Sequence, residues 1–274
     1  MSVRPSRLAT LAPLDEDEGR IAGHSSDPHP EAPGEAEPRR THKATALPCG
    51  SVAVTLAGET AHLRRSGALW IERARTLVVG DLHLEKGSAY AARGQMLPPY
   101  DTADTLARLA AEVADLKPSQ VILLGDTLHD GRAEGRLAAA DVARVLDLAA
   151  AAQLVWVIGN HDADGPRGLP GDVADEIVIG ALTLRHEPLP GPQPGEVAGH
   201  LHPCARVVAR GRSVRRRCFV TDGERIVLPA FGAYAGGLNV RDVAFAPLFA
   251  RRPFVVALGG ERAHAIGWGS LAGD

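Results

Sequence analysis

The amino-acid sequence predicts an α/β fold in which two sheets pack face to face and are flanked by helices. Between residues 76 and 158, short apolar runs rich in β-branched residues alternate with segments of helical periodicity. After residue 176, short strand-like runs follow one another and are punctuated by glycine and proline. The hydrophobic fraction of 45% is large enough to fill a core between such layers.

Three buried strands are predicted in the first half of the chain, at 76–80, 121–124 and 154–158. Their apolar residues suit strands that are covered on both faces. The segments between them predict two helices, over 104–116 and 134–152, because their apolar residues recur on one face. This β-α-β-α-β order indicates parallel strands joined by right-handed crossovers.

The flanking segments predict further strands and an unstructured beginning. Strand-like residues precede the central unit at 51–56, 61–63 and 67–71. A more antiparallel set follows it at 176–179, 182–185, 197–199, 206–209, 216–220, 225–228, 254–258 and 264–266. Residues 1–45 are rich in Pro, Glu, Asp and Ser and cannot fill a core, so they predict a disordered tail before one domain over 46–274.

Composition excludes several classes of protein. A net charge of −3 does not suit a general polyanion binder, so any contact with nucleic acid would need a local basic patch. Three scattered cysteines form neither a disulfide framework nor a CxxC pair. No apolar run approaches the ~18 residues that suggest a membrane span. We therefore expect a soluble cytoplasmic protein with reduced thiols and no membrane contact.

Each of the three buried strands is followed by polar residues. The clusters are Gly80-Asp81-Leu82-His83, Gly125-Asp126 and Gly159-Asn160-His161-Asp162. Ligands bind at the carboxyl ends of the strands in an open α/β sheet, so these clusters are expected to converge. Two later clusters complete the set, His186 and Gly199-His200-Leu201-His202.

The side chains in these clusters suit divalent metal ions. Imidazole, carboxylate and carboxamide groups without thiolate favour Mn²⁺, Fe²⁺, Zn²⁺ or Co²⁺. Seven candidate ligands exceed what one ion needs, and two ions bridged by a carboxylate would use them all. The candidates are Asp81, His83, Asp126, Asn160, His186, His200 and His202.

In their order and spacing, these five motifs resemble the calcineurin-like metallophosphoesterase superfamily. The resemblance implies a four-layer α/β/β/α sandwich, with two mixed sheets flanked by helices, and a dinuclear metal site. His161 would contact the phosphate and protonate the leaving oxygen. The implied ligands are Asp81, His83 and His202 for one ion and Asn160, His186 and His200 for the other, with Asp126 bridging them.

A narrower resemblance covers residues 48–268. The stretches Asp81–Gly87, Arg93–Asp101 and Leu228–Val240 are similar to the bacterial DNA ligase-associated metallophosphoesterases. This resemblance implies a phosphodiesterase and candidate endonuclease, encoded beside an ATP-dependent DNA ligase, a helicase and an exonuclease. The implied reaction is in-line attack on a phosphodiester by a hydroxide that bridges two ions, with Mn²⁺ the leading choice.

Three readings of the activity remain open at this stage. The leading one is a nuclease acting on DNA, or on RNA, in a repair context. The second is a phosphodiesterase or pyrophosphatase of small nucleotides. The third is a non-catalytic scaffold for repair partners, which the complete set of ligands and His161 disfavours.

Two residues beside the metal motifs have alternative roles. Asp162 would tune His161 or cap the following turn. His129 lies in Gly-Asp-Thr-Leu-His-Asp, which is similar to the nuclease branch of the superfamily. There it would contact phosphate or orient His161, and otherwise it is a structural histidine.

Two groups of cations are candidates for binding substrate. Lys86 and Arg93 would grip a substrate phosphate or occupy an exposed helix face. The densest basic segment would follow a nucleic-acid backbone or form a solvated hairpin. It consists of Arg206, Arg210, Arg212, Arg215, Arg216 and Arg217.

Overall fold

The structure of the protein is a computed structural model that describes residues 44–209 and 211–274. The predicted tail lies outside the described residues as far as position 43, and so does Arg210 of the basic segment. Within the described ranges, no helix combines the length and apolar character that crossing a membrane requires. Two sheets and three α-helices make up the regular structure of these ranges.

The first sheet has eight strands that lie side by side in chain order. The first five strands pair in antiparallel fashion, and β5 to β8 are parallel. The strands are β1 (Thr45–Ala46), β2 (Val52–Leu56), β3 (Glu59–Leu63), β4 (Leu69–Ile71), β5 (Thr76–Gly80), β6 (Gln120–Leu124), β7 (Gln153–Val157) and β8 (Asp172–Ala174).

The α-helices are α1 (Lys86–Ala91), α2 (Asp101–Leu116) and α3 (Ala139–Ala151). The helices α2 and α3 connect β5 to β6 and β6 to β7, so the predicted crossovers are confirmed. The prediction placed the start of α3 about five residues too early. Glu134–Arg136 form a separate 3₁₀ turn, and the extended backbone at Leu137 and Ala138 stops it from joining the helix.

The second sheet is mixed. Its main path runs β16-β15-β13-β14-β11-β10-β9, and β12 and β17 extend it beside β13. Most pairs are antiparallel as predicted, although β10–β11 and β11–β14 are parallel. The strands are β9 (Glu176–Ile179), β10 (Leu182–Arg185), β11 (Glu196–Ala198), β12 (Cys204–Ala209), β13 (Arg212–Thr221), β14 (Ile226–Val227), β15 (Phe254–Leu258), β16 (Ala263–Gly267) and β17 (Leu271–Ala272).

Alternation along the strands produces the layers. In β5, Val78 points into a core shared by both sheets, whereas Leu77 and Val79 point into a core under α2 and α3. A third core covers the outer face of the second sheet, where Phe245 of a 3₁₀ helix packs on Val220. These layers confirm the predicted α/β class with two mixed sheets, and they leave the carboxyl ends of β5, β6 and β7 at one edge.

Candidate metal centre

The loops that follow β5 and β6 run side by side at this edge. The Asp81 N–H donates to the Gly125 carbonyl oxygen at 3.1 Å, and the His83 N–H donates to that of Asp126 at 2.9 Å. The loop after β7 approaches just as closely, because a Cβ atom at Gly159 would overlap Asp126. The three strand ends therefore place their polar residues within one small volume.

One group of donors combines Asp81, His83 and His202. The Nε2 atom of His202 lies 3.1 Å from Oδ1 of Asp81 and 3.3 Å from Nε2 of His83. Burial and the neighbouring His202 lower the pKa of His83 to about 3, so its imidazole is neutral and its lone pair is free to bind a cation. The Nδ1 atom of His83 is buried without a hydrogen-bond partner among the described residues.

A second group combines Asn160, His186 and His200. The Nε2 atom of His186 lies 3.0 Å from Oδ1 of Asn160 and 3.2 Å from Nδ1 of His200. The other ring nitrogen, Nδ1, lies 3.3 Å from the carbonyl oxygen of Leu124. A proton on Nδ1 would be donated to that carbonyl, which leaves Nε2 as a lone-pair donor facing its two neighbours.

Asp126 lies between the two groups. Its Oδ2 atom is 3.4 Å from Nε2 of His186 and 3.9 Å from Nε2 of His83. Burial raises the pKa of Asp126, but the hydrogen bond with His186 and the backbone N–H of His161 outweigh burial and lower it to about 2. Asp126 is therefore a carboxylate that faces both donor groups at once.

The backbone at this centre is unusual. Five of the candidate ligands have left-handed backbone conformations, with φ between 46° and 67°. Residues with a Cβ rarely adopt this conformation, and each costs on the order of 1–3 kcal/mol. These residues are Asp81, His83, Asp126, His200 and His202.

His161 lies beside the donor groups and is exposed. Its backbone N–H donates to Oδ1 of Asp126 at 2.9 Å, and its Nδ1 lies 2.7 Å from the carbonyl oxygen of His129. A carbonyl oxygen only accepts, so Nδ1 carries a proton. The Nε2 atom is left to exchange a proton with whatever binds at this edge.

His129 packs against His161. The two rings are stacked with centroids 5.3 Å apart, and the His129 ring meets His83 edge-on at 5.6 Å. Burial, His161 and the nearby charge of Lys86 lower the pKa of His129. The structure thus places His129 behind the ring of His161, and the carbonyl of His129 holds that ring in place.

The carboxylate of Asp162 is buried and faces the backbone. Its Oδ1 accepts the N–H groups of Asp126 and Gly159, and its Oδ2 accepts those of Thr127 and Leu128, at 2.8–3.2 Å. These four hydrogen bonds hold the loop after β6 against the loop after β7. The predicted alternative of tuning His161 has no direct contact of this kind to support it.

Lys86 and Arg93 lie at the two ends of α1. Lys86 begins the helix, and Arg93 follows its last residue and is exposed. Both charges lower the pKa of His129, after burial and His161, so both lie close enough to His129 to act on its charge. Their predicted contact with substrate stays a prediction.

Comparison with known proteins agrees with the metal-binding geometry of the site. The family model described as calcineurin-like phosphoesterase matches residues 74–215, just over half of the 274-residue chain. This range contains all five motifs. No curated protein matches the chain.

Among solved structures, the chain is similar to the Pseudomonas putida nuclease MPE. The identity is 32% and the TM-score is 0.61, over 79% of this chain and 100% of that one. Yfce, a phosphoesterase from E. coli, is 17% identical over 70% of this chain and 98% of its own, with a TM-score of 0.37 that adds nothing to the assignment. The chain belongs to the calcineurin-like phosphoesterase family and is a metal-dependent phosphoesterase.

Proposed function

We propose that this chain is a nuclease that hydrolyses phosphodiester bonds in DNA with two divalent metal ions. One ion would be held by Asp81, His83 and His202, and Asp126 would be shared with a second ion. The second ion would be held by Asn160, His186 and His200. The observation that carries this proposal is the position of Asp126, whose Oδ2 faces one imidazole of each group.

The chemistry of the donors fits such ions. Ring nitrogens of His83 and His202 face each other at 3.3 Å, and those of His186 and His200 face each other at 3.2 Å. Imidazole nitrogens turned towards each other around buried carboxylates are arranged to bind cations. When bound, the two ions would activate a water molecule and neutralise charge on the phosphoryl oxygens. Mn²⁺ is the proposed ion, with Fe²⁺, Zn²⁺ and Co²⁺ as alternatives.

His161 is the proposed general acid. The leaving alkoxide of a nucleic-acid diester is poor, so proton donation to it contributes typically about 10²–10⁴-fold. The hydrogen bond from Nδ1 to the His129 carbonyl fixes the orientation of the ring and leaves Nε2 facing outward. The Nε2–H of the protonated ring is then the group that donates to the leaving oxygen.

His129 and Asp162 are proposed as positioning residues. The His129 carbonyl and ring hold His161 at one angle. The Asp162 carboxylate holds the backbone of Asp126, which carries the shared ligand. Lys86 and Arg93 are proposed to contact substrate phosphate from the same side.

Similarity to a nuclease supports nucleic acid as the substrate. DNA rather than RNA, and a repair context with an ATP-dependent DNA ligase, a helicase and an exonuclease, extend the proposal on the basis of the narrower sequence resemblance. The specific alternatives are hydrolysis of small nucleotides and a non-catalytic role as a repair scaffold.

The test is hydrolysis with purified protein and Mn²⁺. The substrates are bis-p-nitrophenyl phosphate and labelled single- and double-stranded DNA, and the variant is Asp126→Ala. The matched control is His264→Ala, which removes an exposed histidine from β16. We expect the wild type and the control to cleave both kinds of substrate. Asp126→Ala should cleave neither.

Three results would contradict parts of this proposal. Hydrolysis of the small diester without DNA cleavage would replace DNA with small nucleotides. Ion binding without any hydrolysis would make the scaffold role the better account. Full activity in Asp126→Ala would remove the shared carboxylate from the mechanism.

A further inference from the structure

A cavity lined by several arginines lies near the metal centre. It has a volume of about 470 Å³ and lies between the β3–β4 turn, α2 and β13. Four of its lining residues are arginines, Arg65, Arg108, Arg216 and Arg217, and its one carboxylate is Glu112. The cavity therefore collects cations that come from three separate parts of the chain.

These arginines have no counter-ion in the part of the chain that the structure describes. Nε of Arg64 binds Glu112 at 2.7 Å, so the carboxylate of the cavity is already paired with a fifth arginine. No other carboxylate lies within 4.0 Å of the four guanidinium groups. Asp104 lies one helical turn before Arg108 but falls outside that distance.

The inner pair, Arg108 and Arg217, is half-buried and donates hydrogen bonds only to carbonyl groups, and the Arg108 guanidinium also lies over the Phe231 ring, 4.7 Å from its centroid. Both donate to the carbonyl oxygen of Phe231, and Arg217 also donates to those of Ala230 and Gly232 at 2.9 and 3.0 Å. Burial and the neighbouring Arg217 lower the pKa of Arg108 to about 10. Two like charges removed from water without an anion are unfavourable, and a bound anion would relieve the repulsion.

The same three-residue segment, Ala230–Gly232, also contacts the backbone of the metal centre. The Phe231 N–H donates to the Gly80 carbonyl oxygen at 2.8 Å, and the Gly232 N–H donates to that of Asp81 at 3.1 Å. Arg217 also pairs with Cys204, two residues after His202. One three-residue segment therefore contacts both the inner arginines of the cavity and the backbone of the loop that carries Asp81.

We propose that the arginine cavity binds a backbone phosphate of the same polynucleotide whose scissile phosphate occupies the metal centre. The inference rests on the proposed nuclease function and names a second contact with its substrate. Guanidinium groups bind phosphate oxygens in pairs of parallel hydrogen bonds, and two of the four remain exposed to receive them.

The outer pair, Arg65 and Arg216, offers the cleaner test. Their guanidinium groups contact the carbonyl oxygens of Gly260 and Arg215, at 2.9 and 3.0 Å, and both side chains are exposed. The double variant R65A/R216A should therefore fold. Arg73→Ala is the matched control, because Arg73 is exposed and lies in the β4–β5 turn, at the opposite edge of the sheet.

The experiment measures binding of a fluorescently labelled single-stranded 12-mer by anisotropy in EDTA, at several salt concentrations. Hydrolysis of bis-p-nitrophenyl phosphate with Mn²⁺ is measured separately. We expect R65A/R216A to bind the 12-mer about tenfold more weakly. The slope of log K against log salt should fall by ~0.7, as for one phosphate contact. Hydrolysis of the small diester should be unchanged, and Arg73→Ala should resemble the wild type in both assays.

Two results would overturn the cavity proposal. One is an unchanged affinity for the 12-mer and an unchanged salt slope in R65A/R216A. This outcome counts against the proposal even when inorganic phosphate stabilises the wild type, because the 12-mer then does not depend on the cavity. The other is an equal loss on the 12-mer and on the small diester. A wild type that binds the 12-mer through the cavity yet hydrolyses no diester would instead contradict the proposed nuclease and leave the phosphate contact standing.

Discussion

The metal centre and the arginine cavity both contact Ala230–Gly232, but they carry side chains of opposite charge. The centre gathers carboxylates and imidazole lone pairs around space that suits a cation. The cavity gathers guanidinium groups around space that suits an anion. At the centre, Nδ1 of His83 is buried without a hydrogen-bond partner among the described residues, and in the cavity four arginines lie together with one carboxylate that Arg64 already binds.

The difference between the two regions indicates which kind of ligand each one would bind, a cation at the centre and an anion in the cavity. A buried group that lacks a partner raises the free energy of the folded state, and a ligand of opposite charge removes that cost. The donor atoms of the centre are already arranged around the space for an ion. In the cavity, Arg65 and Arg216 are exposed, so a substrate phosphate can reach them and leave again. Substitutions can separate the two roles, because each region is built from different side chains.

The largest effect is expected at the shared carboxylate. Asp126→Ala removes the oxygen that faces both imidazole groups, so kcat/KM for any diester should fall by at least about 10⁴-fold. Metal content measured by elemental analysis should fall below two ions per chain. Retention of both ions with full loss of activity would show that Asp126 serves catalysis without holding metal.

The next largest effect should depend on the leaving group. His161→Ala is expected to lower DNA cleavage by about 10²- to 10³-fold, since the leaving alkoxide needs a proton. p-Nitrophenolate leaves readily without one, so hydrolysis of bis-p-nitrophenyl phosphate should fall much less. Equal losses on both substrates would assign His161 to binding rather than to proton transfer.

Thermal unfolding with Mn²⁺ should distinguish the metal centre from the arginine cavity, because a cation should stabilise only the centre. Mn²⁺ at about 100 times its Kd should add about 2.7 kcal/mol per site to the free energy of unfolding of the EDTA-treated protein. This gain should vanish in Asp126→Ala and persist in R65A/R216A. A gain that is lost in R65A/R216A as well would mean that the two regions are not independent.

The smallest effect should follow from loosening one loop. An amide in place of Asp162 would turn an NH₂ group towards backbone N–H donors that now share a carboxylate oxygen. Asp162→Asn should therefore lower the free energy of unfolding by about 1–3 kcal/mol. Asp164→Asn, an exposed site two residues later, is the control and should unfold like the wild type. Equal stability of the two variants would contradict the role given to Asp162.

The sequence predicted the metal centre better than the cavity for a physical reason. Asp81, Asp126 and Asn160 each follow a strand whose apolar pattern is local, and parallel strand ends converge by topology. Arg217 belongs to the predicted basic segment, but Arg108 has no local signal, and the two residues meet only because α2 and β13 both reach the carbonyl oxygen of Phe231. The predicted basic segment is divided for the same reason. Arg217 turns inward, whereas Arg206 is held by Ser213 and Gly273.

The predicted helices and strands were likewise accurate only where the local sequence pattern is strong. Buried apolar strands such as β6 were predicted to within a residue, because burial on both faces leaves a strong pattern. The short strands β1, β8 and β17 and the helix α1 were missed. The three strands have only two or three residues and α1 has six, so each depends on neighbours in the folded chain rather than on its own periodicity.

The left-handed backbone of five metal-centre residues sets a limit on engineering this protein. Glycine adopts that conformation without strain, so His83 and His200 are positions where glycine would suit the backbone best. They are also positions where glycine would delete a candidate ligand. A search for thermostable variants that ignores activity would therefore select glycine at these positions. The resulting proteins would be stable but would lack ligands of the metal centre. Selection for stability in this fold needs a simultaneous selection for hydrolysis.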